Sequence, residues 1–194
     1  MGAAAGPATP HRHVAVQAAD FDLGAEVAAL RAGDHGIGAV ASFVGTVREW
    51  GGDAASASSS SLVLEHYPGM TERSIEAMVD EAIHRFELRG ARVIHRVGPL
   101  GLGDQIVLVA VSAPHRRAAF QGCEFLMDWL KTQAPFWKKE VSDGAGDWVD
   151  AREQDDAALA RWGVVPGAVA NTGGGRRAAA PDSANPVETK EQGT

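Results

Sequence analysis

The sequence is poor in the features that define disulfide-bonded, membrane-bound and secreted proteins. Cys123 is the only cysteine among 194 residues, so an internal disulfide or a thiolate metal cluster cannot form. The apolar run from Ile106 to Val111 is far shorter than the roughly 20 residues of a membrane-spanning helix. The Ala-rich N-terminus lacks the charged start and apolar stretch of a secretory signal. We therefore expect a cytoplasmic protein without a membrane association.

Positive charge is also scarce overall, since the chain has 18 Lys and Arg residues against 25 Asp and Glu residues, which gives a net charge of -7. This balance argues against nonspecific nucleic-acid binding, which depends on neutralising many phosphates. Against this acidic background, cations collect between Pro114 and Glu140, at His115-Arg116-Arg117, Lys131 and Lys138-Lys139. The segment predicts a local site for a substrate that carries phosphate or carboxylate.

The composition, with 45% hydrophobic and 22% charged residues, allows one well-buried core. Residues 1–11 and 163–194 are dominated by small and polar residues without an amphipathic period, which predicts disordered tails. The sequence thus predicts a single catalytic domain over residues 12–162.

Periodicity within that domain predicts strands that come in pairs, with helices between them. The predicted helices carry apolar stripes at 23–30, at 75–86 and from Pro114 to Pro135, and a short polar helix ends at Trp162. The predicted strands are 13–17, 36–48, 62–67, 92–97, 105–113, 136–141 and 147–151, with an Ala/Ser loop at 53–61. We expect 92–97 and 105–113 to pair antiparallel, and the last two strands to form a hairpin. Because helices and strands do not alternate strictly, an α+β fold is favoured.

The cations at the start of the third helix are unusual, because positive charge there opposes the helix dipole by about 0.3 to 1 kcal/mol. Free N–H groups at this end favour anions, and arginine can grip phosphate bidentately. The pattern favours phosphate binding at His115, Arg116 and Arg117 over a solvated helix start. Lys131, in the last turn, has a simpler alternative explanation, since a cation there complements the dipole. Lys138 and Lys139 alternate to opposite faces of a strand, so only one of them can share a pocket with Lys131.

Helical rise separates the two cationic ends. His115 and Lys131 are sixteen positions apart, which corresponds to about 24 Å along one straight helix. One small substrate cannot easily touch both ends. The simplest hypothesis is a two-fold dimer in which His115 and Arg116 of one subunit complete the pocket around Lys131 of the other.

Two other candidates follow from strand positions. Arg48 ends a predicted strand before the Ala/Ser loop, a common place for functional side chains, although an exposed arginine without a role is equally compatible. Glu65 and His66 are adjacent on a strand and face opposite sides, so we expect no metal site there.

Several stretches resemble a known family. They are Phe43-Val44-Gly45-Thr46-Val47-Arg48, Leu64-Glu65-His66-Tyr67-Pro68-Gly69-Met70, Ile94-His95-Arg96-Val97-Gly98, His115-Arg116 and Lys131 through Glu140. In this order they resemble the catalytic (large) subunit of molybdopterin synthase, across most of residues 12–162. The Glu-His-Tyr-Pro-Gly-Met and Lys-Thr-x-Ala-Pro-Phe-Trp-Lys patterns are the most specific.

The resemblance implies an α/β-hammerhead fold, with a mixed or antiparallel sheet and packed helices. It also implies a dimer of large subunits within a heterotetramer, each binding a small ubiquitin-like sulfur carrier through its C-terminal Gly-Gly thiocarboxylate. The implied reaction passes two sulfurs from carrier thiocarboxylates to cyclic pyranopterin monophosphate and forms the dithiolene of molybdopterin. No cofactor is expected, because the product is itself the pterin precursor of the molybdenum cofactor.

Matching positions imply roles for particular residues. Lys131 matches the family's essential lysine, as general acid/base or electrostatic stabiliser, and Lys138 matches a second important lysine. The implied substrate-binding set is Arg48, His115, Arg116 and Arg152, with Arg152 reaching the pterin phosphate from the neighbouring subunit. Phe43 and Met127 are expected to line the pocket, and Lys139 and Glu140 to flank it. Thr46 stands where the family often has a lysine, which argues against a direct substrate role for that side chain.

Two other classes of function remain open on the sequence. A noncatalytic receptor would dock a ubiquitin-like tail without converting a substrate. An anion-binding regulatory domain would need no protein partner. In the sulfurtransferase hypothesis sulfur arrives on a partner protein, so Cys123, on the buried helix stripe, need not carry it.

Overall fold

The strands of the chain form two four-stranded sheets, seen in a computed structural model that describes residues 9–49, 61–142, 145–149 and 161–163. Side chains are described for all of these ranges except residues 61, 139–142 and 145–149. The elements in chain order are β1 (His11–Gln17), α1 (Leu23–Arg31), β2 (Ala39–Thr46), β3 (Ser61–His66), α2 (Met70–Phe86), β4 (Gly90–Arg96), β5 (Gly98–Leu100), β6 (Gln105–Ala113), α3 (Arg116–Thr132), β7 (Phe136–Ser142) and β8 (Ala145–Val149).

The first sheet is mixed and has the order β1-β4-β6-β2. β1 runs parallel to β4, whereas β6 pairs antiparallel with both β4 and β2. Alternation along β6 sends Val107, Val109 and Val111 into the core under α2 and α3, and Leu108 and Ala110 into the core with Phe21 and Leu30 on the α1 side. A strand buried on both faces explains the continuous apolar run in β6.

The second sheet is antiparallel, with the order β5-β3-β7-β8. Leu62, Leu64 and Leu100 from this sheet form a smaller core with Val47 and Ile106. The segment between α3 and β7 connects the helices packed on the first sheet to the second sheet.

The helices follow local signals in the sequence. Asp22 caps α1 by accepting a hydrogen bond from the Ala25 N–H (2.8 Å). α2 buries the stripe Ile75, Met78, Val79 and Ala82. α3 buries Ala119, Cys123, Leu126 and Leu130 from the predicted stripe, together with Phe125 and Trp129.

These observations confirm the α+β class with a mixed sheet and packed helices. The antiparallel pairing of β4 with β6 and the β7–β8 hairpin are confirmed as well. β1 begins at His11, which the sequence placed in the N-terminal tail. β5 was not predicted, because Gly98–Leu100 lies within a glycine-rich stretch that reads as a turn. None of the helices in the described part of the chain is long and apolar enough to cross a membrane.

Several predicted boundaries were wrong, and β2 begins at Ala39 instead of at residue 36. β2 ends at Thr46, so Arg48 lies two residues beyond the strand and does not end it. Pro114 precedes α3, whose N-cap is His115 and whose first residue is Arg116. Residues 1–8 and 164–194 of the predicted tails, residues 53–60 of the predicted loop and most of the predicted polar helix before Trp162 lie outside the described residues, whereas Ser61, placed in that loop, begins β3.

Candidate active site

The start of α3 forms one half of the candidate site. His115 has an extended backbone and caps the helix without a side-chain hydrogen bond, and the first turn contains no acidic residue. His115, Arg116 and Arg117 are all exposed, and they line an open surface pocket of about 540 Å³ together with Gly38 and Pro114. Free N–H groups and two guanidinium groups thus face the same solvent-filled space, an arrangement suited to an anion.

Gly38 allows this pocket wall to form. Its N–H donates to the Ala113 carbonyl oxygen (3.1 Å). A Cβ at this position would lie 2.2 Å from the Pro114 carbonyl oxygen, a distance that a side chain cannot adopt. The close approach of β2 to the start of α3 therefore requires glycine.

The end of α3 forms the other half. Lys131 is exposed in the last turn, where its charge also complements the negative end of the helix dipole. The Thr132 hydroxyl donates to the Asp128 carbonyl oxygen (2.8 Å), and the Gln133 N–H donates to that of Trp129 (2.8 Å). The helix terminus is thus hydrogen-bonded and holds Lys131 on a regular turn.

Lys138 follows six residues after the helix, on β7. It is half-buried and pairs with Leu64 of β3 and Val149 of β8. Because side chains alternate along a strand, Lys138 shares a face with Phe136. The backbone of Lys139 pairs with Val63, and that of Glu140 with Leu62, while their side chains and all of Arg152 lie outside the described residues.

Arg48 and Phe43 are both presented from β2 or its end. Val47 is buried and its backbone is tied to the turn before β6, since its N–H donates to Asp104 (2.9 Å) and its carbonyl accepts from Gly103 (2.8 Å). This anchor fixes the backbone next to the exposed Arg48. Phe43 is 41% exposed on β2, an edge strand of the first sheet, so its ring is accessible to a ligand or a second subunit.

Met127 and Cys123 of α3 face the protein interior, unlike the exposed cations of this helix. Met127 is half-buried and packs against the core under the first sheet. Cys123 is buried, and its burial raises the pKa of the thiol to about 11. The thiol stays protonated near neutral pH and is a poor nucleophile.

The predicted cations of α3 and β7 lie in two places along the chain. His115 and Arg116 lie at the start of α3, and Lys131 and Lys138 lie at its end and on the strand that follows. One continuous 17-residue helix separates the groups, as the sixteen-position spacing predicted. Within the described residues, no group of three His, Cys, Asp or Glu side chains could hold a metal ion.

Sequence reasoning missed the residues that pack around the segment from Lys131 to Lys138. Thr71, fully buried, donates to the Pro135 carbonyl oxygen (3.2 Å), and the His95 ring stacks on Phe136 with 3.7 Å between centroids. His66 Nε2 lies 3.5 Å from Glu72 Oε1. Of these residues, only His66 and His95 belong to the stretches that resemble the family, whereas Thr71 and Glu72 follow directly after one of them.

Several known proteins are similar to this chain. Residues 8–133 match the family model described as MoaE protein. The molybdopterin synthase catalytic subunit of Ralstonia nicotianae is 59% identical over 152 residues, which cover 78% of this chain and 85% of that protein. The structure of molybdopterin cofactor biosynthesis protein E from Burkholderia multivorans is 55% identical, covers 79% of this chain and 98% of that one, and has a TM-score of 0.67.

A more distant structure shares the fold alone. It is a chain of the protein–protein complex of subunits 1 and 2 of molybdopterin-converting factor from Helicobacter pylori, 19% identical, with a TM-score of 0.58, covering 73% of this chain and 91% of that one.

Fold and site together define an α+β protein whose third helix carries cations at both ends. The chain belongs to the MoaE protein family. The family match includes Arg48, His115, Arg116 and Lys131, and it ends before Lys138.

Proposed function

We propose that this chain is the catalytic subunit of a molybdopterin synthase, a sulfurtransferase. It moves two sulfurs, one from the C-terminal thiocarboxylate of each of two small ubiquitin-like carriers, to cyclic pyranopterin monophosphate. Each carrier is left with a C-terminal carboxylate, and the dithiolene of molybdopterin forms. The observation that carries the proposal is the placement of two cationic groups at opposite ends of α3 in a chain of this family. One group suits a phosphate, and the other suits a carboxylate-like carrier terminus.

The substrate phosphate binds at the start of α3. Arg116 offers a planar fork for phosphate oxygens, His115 offers a ring N–H, and free backbone N–H groups add their dipole. Arg48 and Arg152 supply further positive charge, and Phe43 and Met127 contribute apolar surface for the pterin. The exposure of Phe43 and of the three cationic residues in the pocket supports this assignment.

Sulfur transfer takes place at the end of α3. Lys131 acts as general acid/base or stabilises the charge that develops on the carrier's acyl group, and Lys138 supports it from β7. Lys139 and Glu140 flank this position on the same strand. The protonated, buried Cys123 supports a route in which sulfur comes directly from the carrier.

Each pocket is shared between two large subunits. The helix places His115 and Lys131 about 24 Å apart, too far for one small substrate to reach within one chain. In a two-fold dimer, the start of α3 in one subunit meets the end of α3 in the other. With one carrier bound to each large subunit, the assembly is a heterotetramer, and the Helicobacter pylori complex of two subunit types is compatible with such a partner.

Lys131→Ala distinguishes this enzyme from a receptor that only docks the carrier. We expect conversion of cyclic pyranopterin monophosphate to fall by at least 100-fold, because the loss of a single electrostatic group of this kind costs about 2.7 to 4 kcal/mol of transition-state stabilisation. Carrier binding, measured by calorimetry, should change by less than about fivefold.

The matched control is Arg31→Ala, which removes a last-turn cation from α1 instead of α3. It should leave conversion unchanged. If Lys131→Ala converts substrate at the wild-type rate, the assignment of the active site is wrong. If the wild-type protein binds carrier but forms no dithiolene, the receptor hypothesis is correct.

A further inference from the structure

The fully buried Thr71 joins two parts of the chain that are far apart in sequence. Its hydroxyl accepts a hydrogen bond from the Tyr67 N–H (3.1 Å) and donates one to the Pro135 carbonyl oxygen (3.2 Å). Tyr67 lies in the turn that starts α2, and Pro135 lies between α3 and β7. One side chain therefore holds the link between Lys131 and Lys138 against the start of α2.

The turn on the α2 side of this link is itself closed by several hydrogen bonds. The carbonyl oxygen of Tyr67 accepts from the N–H groups of Met70 (3.1 Å) and Thr71 (3.0 Å). Glu72 reaches back to the Gly69 N–H (2.6 Å) with one carboxylate oxygen and approaches His66 Nε2 (3.5 Å) with the other. Thr71 is thus held by the hydrogen bonds of its own turn in addition to its contact with Pro135.

A second contact holds the next residue of the link. The His95 ring stacks on Phe136 at 3.7 Å with 16° between the ring planes, and its Nδ1 donates to the Arg96 carbonyl oxygen (2.9 Å). Phe136 is also paired with His66 in the sheet, and its N–H donates to the Ala134 carbonyl oxygen (2.8 Å). Pro135 and Phe136 are therefore held from α2, β3 and β4 at once.

We propose that Thr71 and His95 are positioning residues for sulfur transfer, which fix the link at residues 132–137 and thereby the geometry of Lys131 relative to Lys138. The inference rests on the proposed function for its catalytic part. Neither side chain touches the substrate in this assignment. Their effect is on the rate, because a displacement of about 1 Å at a reacting group can lower a rate by about 100-fold.

Thr71→Val tests the hydrogen bonds with little change in side-chain volume, and Thr71→Ser restores the hydroxyl. We expect Thr71→Val to lower the single-turnover rate constant for sulfur transfer by about tenfold or more, with KM for the pterin substrate within about twofold. The single-turnover rate constant does not depend on the fraction of folded enzyme. Thr71→Ser should recover most of the rate.

Amide hydrogen exchange provides a readout that needs no activity. In Thr71→Val, exchange of the peptide over residues 131–138 should become about tenfold faster, while exchange in β4 and β6 stays at the wild-type level. The matched control is Ser112→Ala, since Ser112 is also fully buried but its hydroxyl has no hydrogen-bond partner among the described residues. Neither exchange nor rate should change in this control.

His95→Leu keeps the test decisive if Thr71→Val does not fold, since it removes the stacked ring and leaves Thr71 in place. It should give the same local exchange and the same loss of rate. Unchanged exchange over residues 131–138 in either folded variant, or faster exchange with an unchanged rate constant, would overturn the proposal. If wild-type enzyme transfers no sulfur, the proposed function fails, and the exchange comparison still decides whether Thr71 holds the link.

Discussion

Individual side chains of α3 differ in the chemistry that their surroundings allow. Cys123 is buried, and its Sγ lies 3.9 Å from the carbonyl oxygen of Val109. With its pKa raised to about 11, this thiol has almost no thiolate at neutral pH. Lys131, eight residues later on the same helix, is exposed and available to a ligand.

Cys123→Ala should therefore leave sulfur transfer intact. We expect the rate of dithiolene formation to stay within about twofold of wild type, with a loss of about 1 kcal/mol in stability from the small cavity. Steady-state conversion and urea denaturation measure the two effects. A folded variant without activity would show that sulfur passes through this thiol.

His95 makes the stability of the protein depend on pH. Burial lowers its pKa to about 4, although the hydrogen bond to Arg96 opposes the shift, and nearby His66 adds to it. The unfolded state binds a proton near pH 6.5, whereas the folded state resists it until about pH 4. Neutral His95 therefore contributes its full share of the free energy of unfolding above pH 6.5. That contribution is lost as the pH falls from 6.5 towards 4, and the loss is at most about 3 kcal/mol.

His95→Phe retains an aromatic partner for Phe136 and removes the titrating group. Urea denaturation of both proteins between pH 7 and pH 4 should show a steeper loss of stability in the wild type. Parallel curves would mean that His95 does not titrate in this window.

The helix α3 works as a rigid unit that holds two different chemical groups apart. Because its middle is packed under the first sheet, the two ends cannot approach each other without unfolding the core. This property makes a shared pocket testable by combining variants in one dimer.

A heterodimer of Lys131→Ala and Arg116→Ala subunits, purified with two affinity tags, should have about half of wild-type activity. One of its two pockets contains both substitutions, and the other contains neither. A heterodimer of wild type with the double variant should be nearly inactive, since each pocket then contains one substitution. The opposite result, activity only in the second heterodimer, would place the whole pocket within one chain.

Local patterns were sufficient to predict most of the elements. The apolar stripe of α2 and the run in β6 give helix and strand directly, because each pattern reflects burial of its own residues. β5 was missed because its three residues pair with β3 across a stretch without strand periodicity.

The site was predictable only in part. The cations of α3 stand out against an acidic chain, and their separation follows from helical rise. Thr71 and His95 gave no such signal, since the partner of Thr71 lies 64 residues away and the contact exists only in the folded chain. The roles of Lys131, Lys138, Arg48, Phe43, Met127 and the other site residues stay predictions.

At the scale of the whole molecule, Arg161 and Trp162 pack against α2 and α3. The Trp162 ring makes edge contacts with Phe86 (5.7 Å) and Phe125 (5.6 Å), and its Nε1 donates to Asp128 Oδ2 (2.7 Å). Arg161 bonds to Glu124 (2.9 Å) and also to Asp128. These contacts join α2 and α3 and lie at the predicted domain boundary.

Trp162→Ala in the full-length chain should lower the melting temperature by about 5 to 10 °C, from the loss of about 2 to 3 kcal/mol of packing and hydrogen bonding. A truncation after Gly163, which retains this contact, should melt within about 1 °C of wild type. Differential scanning calorimetry compares the three proteins. A similar loss in the truncated protein would show that residues 164–194 stabilise the fold.

The length of α3 limits how the sequence of such an enzyme can evolve. In the proposed dimer this helix is a spacer, and its number of turns sets the distance between the two catalytic centres. Insertion of one turn would shift both centres by about 5.4 Å and rotate one end relative to the other. In the proposed dimer, sequence drift can alter the exposed face of α3, whereas the length of α3 is fixed because the two pockets must form together.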